Sequence, residues 1–292
     1  MYDLREAVEL LQPESAPTRT STAIFIFTAP NPGLKTLEGT HTFVVGRRPS
    51  VLIDPGPDIP SYVDGLVEWL REEDIEPRAI LLSHQHPDHA PGARHLRDVL
   101  RVPVWASSRY EETAFEAVEP DFTFGPQQEF PVDEEALRVF ETPGHSPDHV
   151  AFWLDESGIL FSGDTILGRG TSLVAPPEGD MIDYMKTLQH MRTLEPYLIA
   201  PGHGPLVNDP LAKIDAYIKH RREREEQILA KLASRPMSVE ELVADLYADV
   251  DTHLHDLAAG SVAAQLQKLL IEDRVKESAA RYELANENYA SA

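Results

Sequence analysis

Short apolar runs alternate with amphipathic segments through the first two hundred residues of the chain. The runs are rich in β-branched or aromatic residues and are bounded by Gly, Pro, Asp or Asn, which predicts short strands. The predicted strands cover 23–27, 42–45, 51–53, 79–82, 137–141, 150–154, 159–161 and 198–200. Apolar positions recur at helical spacing in 61–72, 90–100 and 182–194. This mixture indicates a layered α/β structure with helices outside the sheets.

The pattern changes after residue 210. Charged, helix-like sequence runs over 211–233, and further helices are predicted at 238–247 and 254–271. Ser238 precedes Glu241 by three residues, which is the spacing of a capping box at the start of a helix. A short polar segment, 274–284, predicts a small β wing, so this part of the chain is expected to form a winged-helix-like module.

We therefore divide the chain into three parts. A main α/β domain is predicted at 1–212, a winged-helix-like domain at 213–285, and a frayed tail at 286–292. Arg221, Arg222 and Arg224 form the densest basic run. Acidic residues interleave them, so we expect a solvated helix face whose charges are paired.

Composition narrows the chemistry. The chain has 292 residues, no cysteine and a formal net charge of −23. Without thiolates, a bound metal is held by nitrogen and oxygen. A surface this acidic repels phosphate backbones unless a local basic patch overrides it. No apolar run reaches the roughly 18 residues that cross a bilayer, and the acidic start lacks the features of a targeting signal, so we expect a cytoplasmic protein.

Residues 83–89 read Ser-His-Gln-His-Pro-Asp-His and follow a predicted strand. Side chains two residues apart on an extended segment face the same way, so His84 and His86 can point at one ion. Pro87 stiffens the turn, and Asp88 and His89 can then reach a second ion close by. This cluster alone is a strong indication of a metal site.

Three further candidate ligands follow predicted strands in glycine-containing turns. They are His145 in Thr-Pro-Gly-His, Asp164 in Ser-Gly-Asp, and His203 in Pro-Gly-His-Gly. Loops at strand ends are where rigid scaffolds present ligands. Five histidines and two aspartates in four such clusters predict a metal centre. The histidine-rich donor set favours zinc, with iron and manganese also compatible.

The full pattern resembles the ligand set of the metallo-β-lactamase superfamily over about residues 20–210. The resemblance implies a four-layer αβ/βα sandwich with two metal ions at its rim. It implies that His84, His86 and His145 hold one ion, that Asp88, His89 and His203 hold the other, and that Asp164 bridges them. Asp54, in Leu-Ile-Asp-Pro-Gly, matches an aspartate that orients a ligand histidine. His149 is a further candidate for such a supporting position, with an ordinary polar role as its alternative.

Two metal ions lower the pKa of a bound water towards 7, so the expected nucleophile is a hydroxide that bridges them. Asp88 is the candidate catalytic residue, placed to orient that nucleophile or to shuttle its proton. Ser83, Ser146 and Ser162 are close to the site in sequence, but no G-x-S-x-G turn frames any of them. We interpret them as turn or packing residues.

Other segments narrow the resemblance to the lactamase-beta-like protein 2 family. They are Asn-Pro-Gly at 31–33, Leu-Glu-Gly-Thr at 37–40, Leu-Gly at 167–168, Gly-Thr at 170–171, Asp-Tyr-Met at 183–185 and Pro-Gly-His-Gly-Pro at 201–205. Gly168, Gly170 and Thr171 are candidates for the substrate pocket, or for a connecting turn. The family includes a single-stranded-RNA endonuclease, and relatives with the same layout hydrolyse thioesters on carrier proteins.

Charge weighs against a simple transfer of the RNA activity. Residues 221–292 hold nine Lys and Arg against fourteen Asp and Glu, and the predicted helix 254–271 has Lys268 as its single basic residue of these types. Nucleic-acid binders normally show a basic stripe. We therefore expect a small-molecule or carrier-bound substrate with an acyl bond. RNA stays as the alternative, and a non-enzymatic winged-helix regulator is disfavoured. DNA and membrane partners are not expected, and a homodimer through the C-terminal module stays open.

Overall fold

The computed structural model describes residues 22–113 and 115–285. These divide into two compact units, which interleave along the chain. Among the described residues, the first unit contains 22–113, 115–142, 147–170 and 195–210, and the second contains 143–146, 171–194 and 211–285. The predicted tail at 286–292 lies outside the described residues, and the domain boundary at 212/213 stays a prediction.

The first unit contains two sheets. Six strands form one sheet in the order β1-β2-β3-β4-β5-β6. They are β1 Ile24–Thr28, β2 His41–Val45, β3 Ser50–Ile53, β4 Pro77–Leu81, β5 Val104–Ala106 and β6 Phe122–Thr123. Five strands form the other, in the order β11-β10-β9-β8-β7. They are β7 Glu129–Val132, β8 Glu135–Glu141, β9 Val150–Leu154, β10 Ile159–Gly163 and β11 Leu198–Pro201.

Side chains that alternate along the central strands build two cores. On β3, Val51 and Ile53 join the cluster shared with the five-stranded sheet, whereas Leu52 joins the cluster on the opposite face. The opposite face is covered by α1 Pro60–Glu72 and α2 Gly92–Leu100. Residues buried on both faces explain why these strands are nearly continuous apolar runs in the sequence.

Helix α1 shows how the sequence directs this packing. Pro60 starts the helix, where its missing N–H is of no consequence and its fixed φ suits the first turn. Val63, Leu66, Val67 and Leu70 are the buried positions, which places them on one face at helical spacing. Each such fully buried side chain contributes about 1.5–3 kcal/mol relative to exposure.

The second unit is mostly helical. Its helices are α3 Met181–Thr193, α4 Pro210–Leu232, α5 Val239–Leu246 and α6 His255–Ile271, and its hairpin consists of β12 Val275–Ser278 and β13 Arg281–Leu284. The first residue of α4, Pro210, is assigned to the first unit. Ser238 and Glu241 form the predicted capping box: Ser238 Oγ accepts from Glu241 N–H and the Glu241 carboxylate accepts from Ser238 N–H. Leu242, Val262, Leu266 and Leu269 are in the core of the winged-helix part.

The mixed α/β class and the winged-helix part are confirmed, and the predicted elements lie within two residues of the observed ones. Three strands were not predicted. β5 has three residues and β6 two, and β7 contains Pro131. β7 is at the edge of its sheet, where a missing N–H is tolerated. Among the described residues, no helix is long and apolar enough to span a bilayer.

Candidate metal centre

Strand ends bring the candidate residues of the first unit together. β3 and β4 are parallel neighbours, so Asp54 lies beside the segment 83–89 that follows β4. β10 and β11 are also parallel neighbours, so Asp164 lies beside His203. The carboxyl ends of parallel neighbours share a sheet edge, and side chains that are far apart in sequence meet there.

Four side chains form one compact donor cluster. His89 Nε2 and His203 Nε2 are 3.1 Å apart. Asp164 Oδ1 lies 3.3 Å from each of these nitrogens. Asp88 Oδ2 lies 3.1 Å from His203 Nε2 and 3.6 Å from His89 Nε2. Two imidazole nitrogens and two carboxylate oxygens at these separations suit a single divalent cation.

The cluster is buried on its histidine side. The side chains of His89 and His203 are 0% exposed, whereas Asp164 is 12% and Asp88 25% exposed. The cluster is therefore open to solvent on the side of Asp88. Gly202 makes the close approach feasible, because a Cβ there would lie 2.7 Å from Asp164 Oδ1 and 2.8 Å from His89 Cε1.

Opposite charges in the cluster shift its pKa values apart. Burial acts to raise the pKa of Asp88, but His89 and His203 outweigh it and lower that pKa to about 2. Burial also acts to raise the pKa of Asp164, but His203 and His89 hold that pKa well below its usual value. Burial acts to lower the pKa of His203, but Asp164 and Asp88 raise it to about 9. The pKa of His89 is raised by Asp164 and Asp88 against the same effect of burial. A cation that takes these nitrogen lone pairs must therefore displace protons.

Asp54 anchors two histidines. Its Oδ2 lies 2.9 Å from His89 Nδ1 and accepts from the Ser83 hydroxyl at 2.6 Å, while its Oδ1 accepts from Ser83 N–H at 2.7 Å. Because the Ser83 proton is given to Asp54, Ser83 Oγ accepts from His84 Nδ1 at 2.9 Å. Asp54 therefore fixes the Nδ1–H form of both imidazoles and directs Nε2 to the ligand side.

Backbone carbonyls fix two more histidines in the same way. His203 Nδ1 lies 3.1 Å from Gly39 O. In the second unit, His145 lies on the loop Pro143–Ser146, and its Nδ1 is 2.8 Å from Leu173 O. Each Nδ1–H donates to its carbonyl, so both imidazoles adopt the Nδ1–H form, in which Nε2 is the nitrogen that can coordinate a metal.

His86 belongs to the first unit and is close to His84. Their donor atoms lie within 4.8 Å of one another, and their ring centroids are 4.4 Å apart. The Phe115 ring packs edge-on against His86 at 5.2 Å between centroids, and Phe115 is 44% exposed. His86 is thus the half-buried member of the histidine pair.

His149 supports Asp164 rather than offering a ligand nitrogen. Its Nε2 accepts from Asp164 N–H at 3.0 Å, and its Nδ1 donates to Thr142 Oγ1 at 2.7 Å. Both nitrogens are therefore engaged with the protein. Gly163 lets the imidazole approach, because a Cβ there would lie 2.6 Å from His149 Nε2.

The predicted pocket residues differ in their surroundings. Gly168 packs its backbone against Pro205, whose carbonyl oxygen would lie 2.2 Å from an added Cβ. Gly170 has a φ of +66°, and a Cβ added there would meet no atom within 4 Å. Thr171 belongs to the second unit and is exposed. Close packing accounts for Gly168, and the pocket role of all three stays a prediction.

The role of Ser83 in linking Asp54 to His84 could not be predicted from the sequence. A serine that precedes a ligand-rich run is indistinguishable in sequence from a turn residue, and its hydrogen bonds to Asp54 link positions that only the β3–β4 pairing brings together. The carbonyl of Gly39 was missed for the same reason, since a backbone acceptor leaves no mark in residue type.

Comparison with known proteins identifies the superfamily of the chain. Residues 36–203 match the family model of the metallo-beta-lactamase superfamily. The chain belongs to this superfamily. Residues 238–282 match the beta-lactamase associated winged helix domain, which follows the superfamily domain in this chain.

Two similar proteins share nearly the whole layout. The chain is 34% identical over 279 residues to a beta-lactamase-like protein 2 homolog of Drosophila melanogaster, covering 90% of this chain and 93% of that protein. It is 33% identical over 246 residues to the Caenorhabditis elegans homolog of the same name, covering 82% and 81%. A beta-lactamase domain protein from Burkholderia ambifaria has a TM-score of 0.77 at 20% identity, covering 94% of this chain and 95% of that one. The chain therefore carries a metallo-hydrolase domain with an associated winged helix.

Proposed function

We propose that the chain is a two-zinc hydrolase that cleaves an acyl bond, a thioester, lactone or ester, in a small-molecule or carrier-bound substrate. The cluster of Asp88, His89, Asp164 and His203 carries the proposal. Its five measured donor separations span 3.1 to 3.6 Å. Four ligands arranged tetrahedrally at about 2.0–2.1 Å from an ion are roughly 3.3 Å from each other, as zinc requires.

His84, His86 and His145 are proposed as residues that would hold the second ion, and Asp164 would contribute to holding both. The hydrogen bonds of His84 Nδ1 to Ser83 and of His145 Nδ1 to Leu173 support this, because they leave Nε2 of each imidazole for a metal. Histidine ligands in metal sites are normally oriented by such a partner on the other nitrogen.

The two ions, when bound, supply a water that ionises near neutral pH and a positive charge that polarises the scissile carbonyl. Asp88 is the most exposed of the four clustered donors, and its lowered pKa keeps it ionised at neutral pH. It can therefore accept a hydrogen bond from the attacking water and orient it. His89 and His203 keep the interior side of the cluster dry.

The pairing of charges between residues 231 and 284, which include the segment matched to the associated winged helix domain, supports an acyl substrate over RNA. Every Lys and Arg between residues 231 and 284 forms an ion pair with an acidic side chain. The pairs are Lys231–Asp245, Arg235–Glu241, Lys268–Glu225, Arg274–Glu225, Lys276–Glu283 and Arg281–Glu241. Phosphate backbones are bound by cations that are available to them. The same argument disfavours DNA. A homodimer and a cytoplasmic location stay predictions.

The test is a substrate comparison with zinc-loaded protein. Model thioesters, lactones, esters and single-stranded RNA are offered under identical conditions, and bound zinc is measured by mass spectrometry. We expect two zinc ions per chain and turnover of an acyl substrate. A His203→Ala variant should lose zinc and turnover together, because it removes one of the four clustered donors.

His95→Ala is the matched control. His95 interacts with exposed Asp64 and lies outside the donor cluster, so zinc content and turnover should persist. Cleavage of RNA that His203→Ala abolishes, without any acyl turnover, would replace the acyl proposal by the RNA alternative. Full zinc binding by His203→Ala would refute the ligand assignment itself.

A further inference from the structure

A second candidate site lies among three helices of the second unit. A cavity of about 220 Å³ opens between α3, α4 and α6. The residues that matter are Met185 of α3, Arg221, Arg222 and Glu225 of α4, and Gln265 and Lys268 of α6. Sites for drug-sized ligands usually measure roughly 300–1,000 Å³, so this cavity suits a smaller occupant.

Arg221 is buried and carries a charge that no ion pair in the described part of the chain compensates. It is 4% exposed, yet no carboxylate of the described residues forms an ion pair with it. Its Nη2 donates to Ser172 O at 2.5 Å, and its guanidinium carbon lies 5.2 Å from the centroid of the Tyr184 ring. Its Nε is buried without a hydrogen-bond partner among the described residues. An arginine cannot lose its charge, and a buried charge is costly unless an anion compensates it.

Arg221 does not lie on the solvated, ion-paired helix face that its interleaved acids predict, because it is buried. Ile214, Tyr217 and Ile218 are buried, and Arg221 follows them at helical spacing, so it lies on the inward face of α4. Two nearby acids of this helix are paired elsewhere: Glu223 with Lys219 and Glu225 with Lys268.

Gln265 supplies the complementary group. Its amide nitrogen donates to Arg221 O at 3.0 Å, which fixes the orientation of the amide because a carbonyl can only accept. Its Oε1 is then left buried, with no partner among the described residues. Arg221 and Gln265 both line the cavity, and each contains one buried polar atom without a partner among the described residues: the donor Arg221 Nε and the acceptor Gln265 Oε1.

The other charges at the cavity cancel each other. Lys268 Nζ lies 2.5 Å from Glu225 and 2.9 Å from Glu272, and Arg274 pairs with the same two carboxylates. Two cations and two anions make a neutral network. Arg221 and the exposed Arg222 remain in excess, and Arg222 forms no ion pair within the described chain either. The cavity is therefore positive, although the whole chain has a net charge of −23.

We propose that this cavity binds a phosphate group, either free phosphate or the phosphate of a small molecule. Phosphate offers acceptor oxygens to the Arg221 and Arg222 guanidinium groups, and its partly protonated form also offers an O–H to Gln265 Oε1. A plain carboxylate satisfies the arginine and leaves the glutamine without a donor. Charge-assisted hydrogen bonds of this kind are the strong ones in proteins.

Phosphate binding is expected to reduce the mobility of residues 172–173, which contact Arg221 through Ser172 O. Arg221 donates to Ser172 O, and the next carbonyl, Leu173 O, accepts from His145 Nδ1. An anion that fixes Arg221 therefore steadies residues 172–173. This consequence can be observed as slower amide exchange there, whether or not His145 binds a metal.

The test uses zinc-loaded full-length protein in phosphate-free buffer, titrated with inorganic phosphate, with acetate, and with a phosphomonoester such as glycerol phosphate. Calorimetry should show one saturable phosphate site and weaker binding of acetate. Amide hydrogen exchange should slow in peptides that contain residues 172–173 and 265 when phosphate is bound. Arg221→Met and Gln265→Leu should each weaken phosphate binding about tenfold or more. Tighter binding of the monoester would identify a small-molecule phosphate as the occupant, and tighter binding of inorganic phosphate would identify the free ion.

Two further variants keep the test decisive. Arg222→Gln changes an exposed side chain that lines the cavity, so the variant is expected to fold normally and to bind phosphate more weakly. Lys219→Gln removes an exposed cation on the same helix that does not line the cavity, so phosphate binding should be unchanged. Binding that survives Arg221→Met and Arg222→Gln but is lost in His203→Ala would assign the phosphate to the metal centre and overturn the proposal. Absence of saturable phosphate binding to the wild-type chain would overturn it as well.

Discussion

Asp54 Oδ2 lies 2.9 Å from His89 Nδ1, and the carboxylate also receives two hydrogen bonds from Ser83. Asp54 adopts a φ of +50°, a left-handed conformation that aspartate tolerates better than most residues. This turn directly after β3 aims the carboxylate at the segment that follows β4. A single aspartate thereby sets the orientation of His89 directly and of His84 through Ser83.

Asp54→Asn should weaken zinc binding by about 10- to 100-fold, the usual effect of removing a partner that orients a ligand. The amide is uncharged and supports the Nδ1–H of His89 less well than the carboxylate. Zinc affinity is measured by competition with a chromophoric chelator. Asp58→Asn, which changes an exposed acid, serves as the control and should bind zinc like the wild type. Equal affinities for the two variants would contradict the role given to Asp54.

The positions of the donors could be predicted because histidine and aspartate were concentrated where apolar runs end. The partners of those donors could not. Ser83 Oγ and Gly39 O act through strand pairing and backbone geometry, which residue type does not encode. Arg221 shows the opposite failure. Its spacing from Ile214 and Ile218 already placed it on the buried face, but its interleaved acids suggested a solvated one.

Zinc uptake should release protons at neutral pH. The pKa of His203 is raised to about 9 and the pKa of His89 is raised as well, so the Nε2 atoms of this pair retain protons in metal-free protein at neutral pH. A zinc ion that takes both Nε2 atoms must expel those protons. Calorimetric titration of metal-free protein in two buffers of different ionisation enthalpy gives the number released. We expect one to two protons to be released per cluster at pH 7, and fewer as the pH rises through about 9. Heats that do not depend on the buffer would refute the raised pKa values.

His41 should make the protein less stable in mild acid. The ring is buried, and burial lowers its pKa to about 4, while its Nδ1–H donates to Pro201 O at 3.1 Å. The folded state therefore prefers neutral His41, and its stabilising effect is complete above the unfolded pKa of about 6.5. That effect is lost as the pH falls from 6.5 towards 4, by up to about 3 kcal/mol in the free energy of unfolding.

The measurement for His41 compares urea unfolding of the wild type and of His41→Gln at several pH values from 7 to 4. Both proteins carry the same donor cluster, so protonation of the metal ligands affects them equally. The difference in unfolding free energy should shrink as the pH falls. A difference that stays constant across this range would show that His41 does not titrate in the folded protein.

Gly202→Ala should abolish tight zinc binding while the chain stays folded. The added methyl would lie 2.7 Å from Asp164 Oδ1 and 2.8 Å from His89 Cε1, so one of these ligands has to move away from the cluster. Gly65→Ala is the matched control, because that glycine is exposed in helix α1 with nothing near its Cβ position, and alanine there should add about 0.5–1 kcal/mol of stability. Zinc content after dialysis, together with circular dichroism, separates the two variants. If Gly202→Ala keeps wild-type zinc content, the donors cannot be packed around the ion as closely as their separations of 3.1 to 3.6 Å require.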